Sequence, residues 1–244
     1  MRSLLAAISF LTRLPLGRWI AFDAKQVARS AGWFPPIGIL LGGISGLAAA
    51  LLREHLPLAI VAVLIVVLDA VLTGALHFDG LADTADGFGG GKDREDVLRI
   101  MRDHSIGSYG STALILLIAL KVVAYSVILE REYWLRALVL TPALGRWSIL
   151  LLTTALPYAR KTASIVHDMG KGSLLWGTII MAASLVASGL GRAWAAAAAV
   201  AIVSVAVGLY CRRRIGGVTG DTLGANLQLC ESAALLVFLW NGGA

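Results

Sequence analysis

LPLAIVAVLIVVLDAVLTGAL, residues 56–76, carries a single charge, Asp69, and runs without a gap into HFDGLADTADGFGGG, residues 77–91. The first stretch has the roughly 20 residues that a helix needs to cross about 30 Å of hydrocarbon. No water is available in lipid to satisfy an open backbone, so a run of this kind must be helical. The second stretch places aspartates where the apolar run stops. A membrane span that ends in a carboxylate-rich segment implies a hard cation held at a membrane surface.

Working outward, six further apolar runs resemble the first. The seven expected spans are Phe34–Leu52, Leu56–Leu76, Ser111–Leu129, Leu135–Leu156, Ser173–Leu190, Ala193–Tyr210 and Leu223–Trp240. The fold class that follows is all-α: a polytopic helical bundle of about seven transmembrane helices forming a single domain over residues 1–244. The N-terminal MRSLLAAISFLTRLPLGRW is interrupted by Arg13 and Arg18 and has no small-residue cleavage site, unlike a signal peptide. It reads as an amphipathic helix on the membrane surface.

Composition supports this reading. Of the 244 residues 58% are apolar and 15% charged, whereas soluble domains carry about 25% charged residues. The net charge of +6 alone would suit nucleic acid, but its distribution excludes that partner. With the N-terminus inside, 15 of the 21 lysines and arginines fall on cytosolic segments and 4 on the opposite ones. This is the positive-inside bias of a multi-pass inner-membrane protein. The loops 77–110, 157–172 and 211–222 then share the cytosolic side and can assemble one site. Cys211 and Cys230 have no metal-binding or disulfide spacing and read as reduced thiols.

His77–Gly110 holds seven of the chain's 15 acids: Asp79, Asp83, Asp86, Asp93, Glu95, Asp96 and Asp103. Asp79, Asp83 and Asp86 have helical i, i+4, i+7 spacing, which puts them on one face. Three carboxylates so placed repel one another unless a cation neutralises them, and hard oxygen donors select Mg²⁺, Ca²⁺ or Mn²⁺ over zinc. Asp69, Thr73 and His77 continue the helical spacing backward. Asp93, Glu95 and Asp96 alternate with Lys92 and Arg94 and read as solvated surface.

Further along, RIMRDHSIGSYG offers Arg99 and Arg102 as phosphate forks, with Gly107 among small residues that let backbone N–H groups approach an anion. GGVTGDTLGA supplies Thr219 and Gly220 at an expected helix start, with Asp221 as a further metal ligand; a plain glycine-rich turn capped by Asp221 or Thr222 is the alternative. Arg146, inside an apolar run, needs an anionic substrate or Asp69 as partner. Arg160 opens a basic loop. Catalytic candidates are His77 and His104, as general bases beside a metal, and Asp83.

HFDGLADTADG, RIMRDHSIGSYG and GGVTGDTLGA together resemble the cobalamin (cobamide) synthase family of adenosylcobinamide-GDP ribazoletransferases. FLTRLP at Phe10–Pro15 and GWFPPIGILLGG at Gly32–Gly43 also fit, so the resemblance covers nearly the whole chain. It implies transfer of the adenosylcobinamide phosphate group of adenosylcobinamide-GDP to α-ribazole or its 5′-phosphate, with GMP released and Mg²⁺ required. The metal role falls on Asp79, Asp83 and Asp86, joined by Asp103 and Asp221. Arg99, Arg102, Arg146 and Arg160 would hold phosphate charge. Implied partners are the corrinoid nucleotide, α-ribazole or its phosphate, and membrane lipid; assembly with other nucleotide-loop enzymes or with further copies of the chain stays open.

Two alternatives compete with this reading. A CDP-alcohol phosphotransferase making phospholipid would have an arginine where Leu81-Ala82-Asp83 places an aspartate. A divalent-cation transporter using Asp69 and the aspartates predicts paired broken helices from an internal repeat, and the sequence has no such repeat.

Overall fold

The computed structural model describes residues 2–14, 24–160 and 171–240. The described chain is helical: α1 (Arg2–Leu11), α2 (Ala24–Arg29), a short 3₁₀ turn at Ala31–Trp33, α3 (Phe34–Leu52), α4 (Leu58–Thr73), α5 (Leu76–Gly90), α6 (Arg94–Ile100), α7 (Ser108–Ile128), α8 (Trp134–Ala155), α9 (Lys171–Ser188), α10 (Gly191–Ile215) and α11 (Gly220–Leu239). The one β feature among the described residues is an isolated parallel bridge between Tyr158 and Val218. Of the 157–172 loop, residues 161–170 lie outside the described set.

Among the described residues, five helices are long and apolar enough to cross a membrane: Ala31–Leu52, Ser108–Ile128, Trp134–Ala155, Gly191–Ile215 and Gly220–Leu239. The pair α4 and α5 makes a sixth if it is counted as one broken span, and Gly172–Ser188 is a shorter apolar helix. Five or six spans therefore stand where seven were expected: the expected Leu56–Leu76 is half of a broken pair, and the expected Ser173–Leu190 is a helix too short to qualify. Within Leu56–Leu76 only Gly74 hints at the break. The helix stops at Thr73, and Gly74 (φ 64°) and Ala75 (φ 57°) are both left-handed. From there α5 leaves at 91° to α4. Left-handed geometry is easy for glycine and costs alanine roughly 1–2 kcal/mol. Tertiary contacts hold the bend: Arg13 packs under Gly74, and its N–H donates to the Leu72 carbonyl at 2.7 Å. The expected continuous stripe Asp69–Thr73–His77 is therefore cut, and His77 belongs to a different helix from Asp69.

Side-chain contacts sort the loops into two ends. At one end, Tyr133 Oη donates to the Phe238 carbonyl (2.7 Å), Arg192 to Tyr133 Oη (2.8 Å), and Arg136 to the Ser188 carbonyl (3.1 Å). At the other, Arg94 reaches the carbonyls of Ile215 (2.8 Å) and Ala159 (2.5 Å), and Arg214 that of Gly91 (2.8 Å). The three loops expected on one side do meet there. The N-terminal helix packs at this end too. Ala6, Ala7 and Leu11 are fully buried, and Phe10 stacks on Phe34 at 5.8 Å.

Within the bundle, α3 lies directly on α8. A Cβ on Gly38 would meet the Ala143 Cα at 2.5 Å, and one on Gly42 the Leu138 carbonyl at 2.5 Å. Small residues four apart let two backbones touch where lipid supplies no hydrophobic drive between helices. Deeper, Lys121 (α7) binds Glu231 (α11) at 2.6 Å, and Arg146 (α8) binds the other oxygen of Glu231. Asp69 (α4) lies 3.8 Å from Lys121 and 3.7 Å from Arg146. Two cations and two anions, balanced in charge, tie four helices together just before the α4–α5 bend.

Candidate active site

Helix α5 carries the aspartate stripe, in the expected helical register. Asp79 is exposed, Asp83 half-buried and Asp86 buried. Helix α5 packs most closely on α11, through glycines on both sides. A Cβ on Gly80 would come within 2.8 Å of the Asp221 carbonyl, and one on Gly224 within 3.3 Å of the His77 Cα. This contact sets Asp221, in the first turn of α11, beside the stripe. The charges of Asp79, Asp221 and Asp86 all act on Asp83, and Arg160 alone opposes them.

The glycine–threonine–aspartate segment starts α11 by a capping box. Thr219 Oγ1 accepts the Thr222 N–H at 3.2 Å, and Thr222 Oγ1 accepts the Thr219 N–H at 2.8 Å. The cap residue is thus Thr219, not Asp221 or Thr222. With its hydroxyl used and its side chain fully buried, Thr219 shapes the turn. Gly220 is exposed, with open space around its Cα. Asp221, freed from capping, takes Arg160 Nη2 at 2.9 Å.

Arg160 links the carboxylates to a basic groove of about 370 Å³ lined by Arg94, Glu95, Leu98, Arg99, Arg102, Ala159 and Arg160. Three arginines expected to hold phosphate therefore share one surface. Helix α6, which carries Arg99 and ends just before Arg102, is capped by Asp93, whose carboxylate accepts the N–H groups of Glu95 and Asp96 at 2.9 Å. Asp96 in turn pairs with Arg99 at 2.5 Å. The trio Asp93, Glu95 and Asp96 is mostly exposed, with Asp96 part-buried, and serves α6, in line with the surface reading.

Other candidates stand apart. Asp103 and His104 lie on the exposed turn before α7. The Asp103 carboxyl accepts the Ser105 N–H at 3.0 Å, and this bond, with that from the Ser105 hydroxyl, holds it below the usual carboxylate range. His77 is buried at the start of α5, within the field of Arg146 and Lys121. Arg146 is fully enclosed in the four-charge network rather than in the groove. Gly107 sits against Asp86: the Gly107 N–H donates to Asp86 Oδ2 at 2.7 Å and the Gly110 N–H to Oδ1 at 2.8 Å. Among the described residues no three His, Cys, Asp or Glu side chains close around a metal-sized point by themselves.

Sequence reasoning overlooked Arg94 and Arg214, which stitch the loops by saturating helix-end carbonyls. It also overlooked Lys121 and Glu231. For Glu231 a signal existed, since an acid inside an apolar helix calls for a buried partner.

A family model described as Cobalamin-5-phosphate synthase matches residues 3–239. Similar curated proteins are named adenosylcobinamide-GDP ribazoletransferase. One from Clostridium botulinum (strain Okra / Type B1) is 36% identical over 98% of both chains. One from Leptothrix cholodnii is 38% identical over 96% of this chain and 93% of its own. One from Klebsiella pneumoniae (strain 342) is 36% identical over 98% of this chain and 100% of its own. No solved structure matches. With a match from the first helix to the last, the chain belongs to the cobalamin-5-phosphate synthase family.

Proposed function

We propose that the chain is an adenosylcobinamide-GDP ribazoletransferase: it transfers the adenosylcobinamide phosphate group of adenosylcobinamide-GDP to α-ribazole or its 5′-phosphate and releases GMP. The observation that carries this reading is the junction at Arg160. On one side of it stand carboxylates able to hold a hard cation; on the other is an arginine groove able to hold phosphate. A pyrophosphate-bearing nucleotide is the substrate class that needs both.

In the transfer, the ribazole hydroxyl oxygen attacks the corrinoid-side phosphorus. A new phosphate ester forms, the bond to the GMP oxygen breaks, and the hydroxyl proton is given up. Reactions of this type need positioning and charge neutralisation more than covalent catalysis. Arg99, Arg102 and Arg160 would orient the two phosphates and hold their negative charge through forked N–H donors. Asp79 and Asp83 form no hydrogen bond or ion pair among the described residues and, with Asp221, offer hard oxygen donors near solvent. That donor set fits Mg²⁺. Bound there, Mg²⁺ supplies Lewis-acid polarisation of phosphoryl oxygen and stabilises the departing phosphate. Arg146 and His77, enclosed in the bundle, act in its framework; of the two histidine candidates, His104 is the one exposed to solvent. The site end carries the excess of basic residues, which supports a cytosolic orientation in an inner membrane.

Purified enzyme in proteoliposomes, given adenosylcobinamide-GDP, α-ribazole 5′-phosphate and Mg²⁺, is expected to release GMP with a matching gain of the joined corrinoid. Chelation with EDTA is expected to stop the release, and added Mg²⁺ to restore it. CMP release from CDP-alcohols, or Mg²⁺ flux without GMP, would overturn the reading.

A further inference from the structure

Asp86 differs from the other two aspartates of its stripe. Both of its oxygens are occupied, by the backbone N–H groups of Gly107 (2.7 Å) and Gly110 (2.8 Å), and the residue is 9% exposed. These two N–H groups belong to the N-terminus of α7, whose cap position, Gly107, has no side chain with which to cap. The first N–H groups of a helix have no partner within it, and a carboxylate there also meets the positive end of the helix dipole. Asp86 supplies from α5 the cap that α7 lacks.

The glycines are cut to this contact. A Cβ on Gly107 would fall 2.4 Å from Asp86 Oδ1, and one on Gly110 2.3 Å from Oδ2. Neither position admits a side chain while the carboxylate stays in place. Mg²⁺ usually keeps several waters in a near-ideal octahedron, and a carboxylate closed in on both oxygens by main chain has little room for one. Asp79 and Asp83 are open by comparison.

We infer that Asp86 is a positioning residue rather than a metal ligand: it clamps the start of α7 to α5 and so sets the α6–α7 segment, with Arg99 and Arg102, over the aspartates. This inference rests on the proposed transferase reading and divides that reading's metal trio. Its chemical consequence is a split of roles within one helix face. Asp79 and Asp83 serve the metal, and Asp86 serves the phosphate-holding arginines.

The test compares Asp86→Asn, Gly107→Ala and wild type in proteoliposomes. It reads KM for adenosylcobinamide-GDP, kcat, and the Mg²⁺ concentration giving half-maximal GMP release. Both variants are expected to raise KM about tenfold, the equivalent of one charge-assisted hydrogen bond, and to leave the Mg²⁺ half-activation point within about twofold of wild type. A tenfold or greater shift of that point in either variant would overturn the inference. So would an unchanged KM with kcat lowered in proportion to lost folded protein, which is the mark of a merely structural cap. If Asp86→Asn fails to fold, Gly107→Ala alone decides, because it disturbs the same contact from the other side. If wild type turns over without any divalent metal, the metal reading falls by itself. The KM shift then decides the clamp alone: a rise supports it and an unchanged KM overturns it.

Discussion

Single residues divide the candidate site into parts visible in sequence and parts that only folding creates. Asp79 and Asp83 were legible because helical spacing alone puts them on one face. The bonds of Asp86 were not, because its partners lie 21 and 24 residues away, across α6 and a turn. Arg160 was legible as a basic loop residue and, through the resemblance, as a holder of phosphate charge; its pairing with Asp221, which spans 61 positions, was not. That pairing makes Arg160 the hinge between carboxylates and groove, and Arg160→Gln tests it. The substitution removes a forked cation and leaves Asp221 without its partner. Steady-state kinetics should show KM for adenosylcobinamide-GDP raised about tenfold to a hundredfold, matching roughly 1.5–3 kcal/mol for a hydrogen bond to a charged group. An unchanged KM would remove Arg160 from the phosphate site.

Among the elements, the spans read most easily, because hydropathy reports them directly. The expected Phe34–Leu52 coincides with α3, and α7, α8 and α11 begin and end within a few residues of expectation. The α4–α5 break was half legible: Gly74 can end a helix, but alanine at 75 gives no warning of a second left-handed residue, and the constraint comes from the N-terminal segment packed beneath it. The break is a single one among the described residues, without the second, related break that a transporter repeat would bring. The α3–α8 contact was legible in principle, as Gly38, Gly42 and Gly46 recur every four residues. It gives an internally controlled prediction. Gly42→Val must push into the Leu138 carbonyl and is expected to lower stability by about 1–3 kcal/mol, the usual cost of overpacking. Gly43→Val, next door with nothing within 4 Å, is expected to be neutral. Thermal unfolding in detergent reads both, and equal melting temperatures would refute the close crossing.

For the molecule as a whole, charge asymmetry foretold that three distant loops share an end, and the hydrogen bonds of Arg94 and Arg214 carry that out. Of the deep ion network that fixes the helices beneath them, the sequence offered Asp69 as a partner for Arg146 but not the tighter pairing of Arg146 and Lys121 with Glu231, since no single span contains both charges of a pair. Lys121, Glu231 and Arg146 are buried, and removing one partner of a buried pair costs about 3–5 kcal/mol because a charge is left uncompensated. The network is therefore a foundation for the site, holding α11 and α7 at fixed height so that Asp221 and the start of α7 meet α5. The central claim is that this end of the bundle is one composite centre for pyrophosphate chemistry, with the aspartate face of α5 at its heart. Its most direct test is GMP release from adenosylcobinamide-GDP and α-ribazole 5′-phosphate by Asp83→Asn beside wild type, at saturating Mg²⁺ and equal amounts of folded protein. Removal of this carboxylate is predicted to lower kcat by at least about a hundredfold, the scale on which loss of a transition-state electrostatic group is felt; wild-type turnover in the variant would contradict the account.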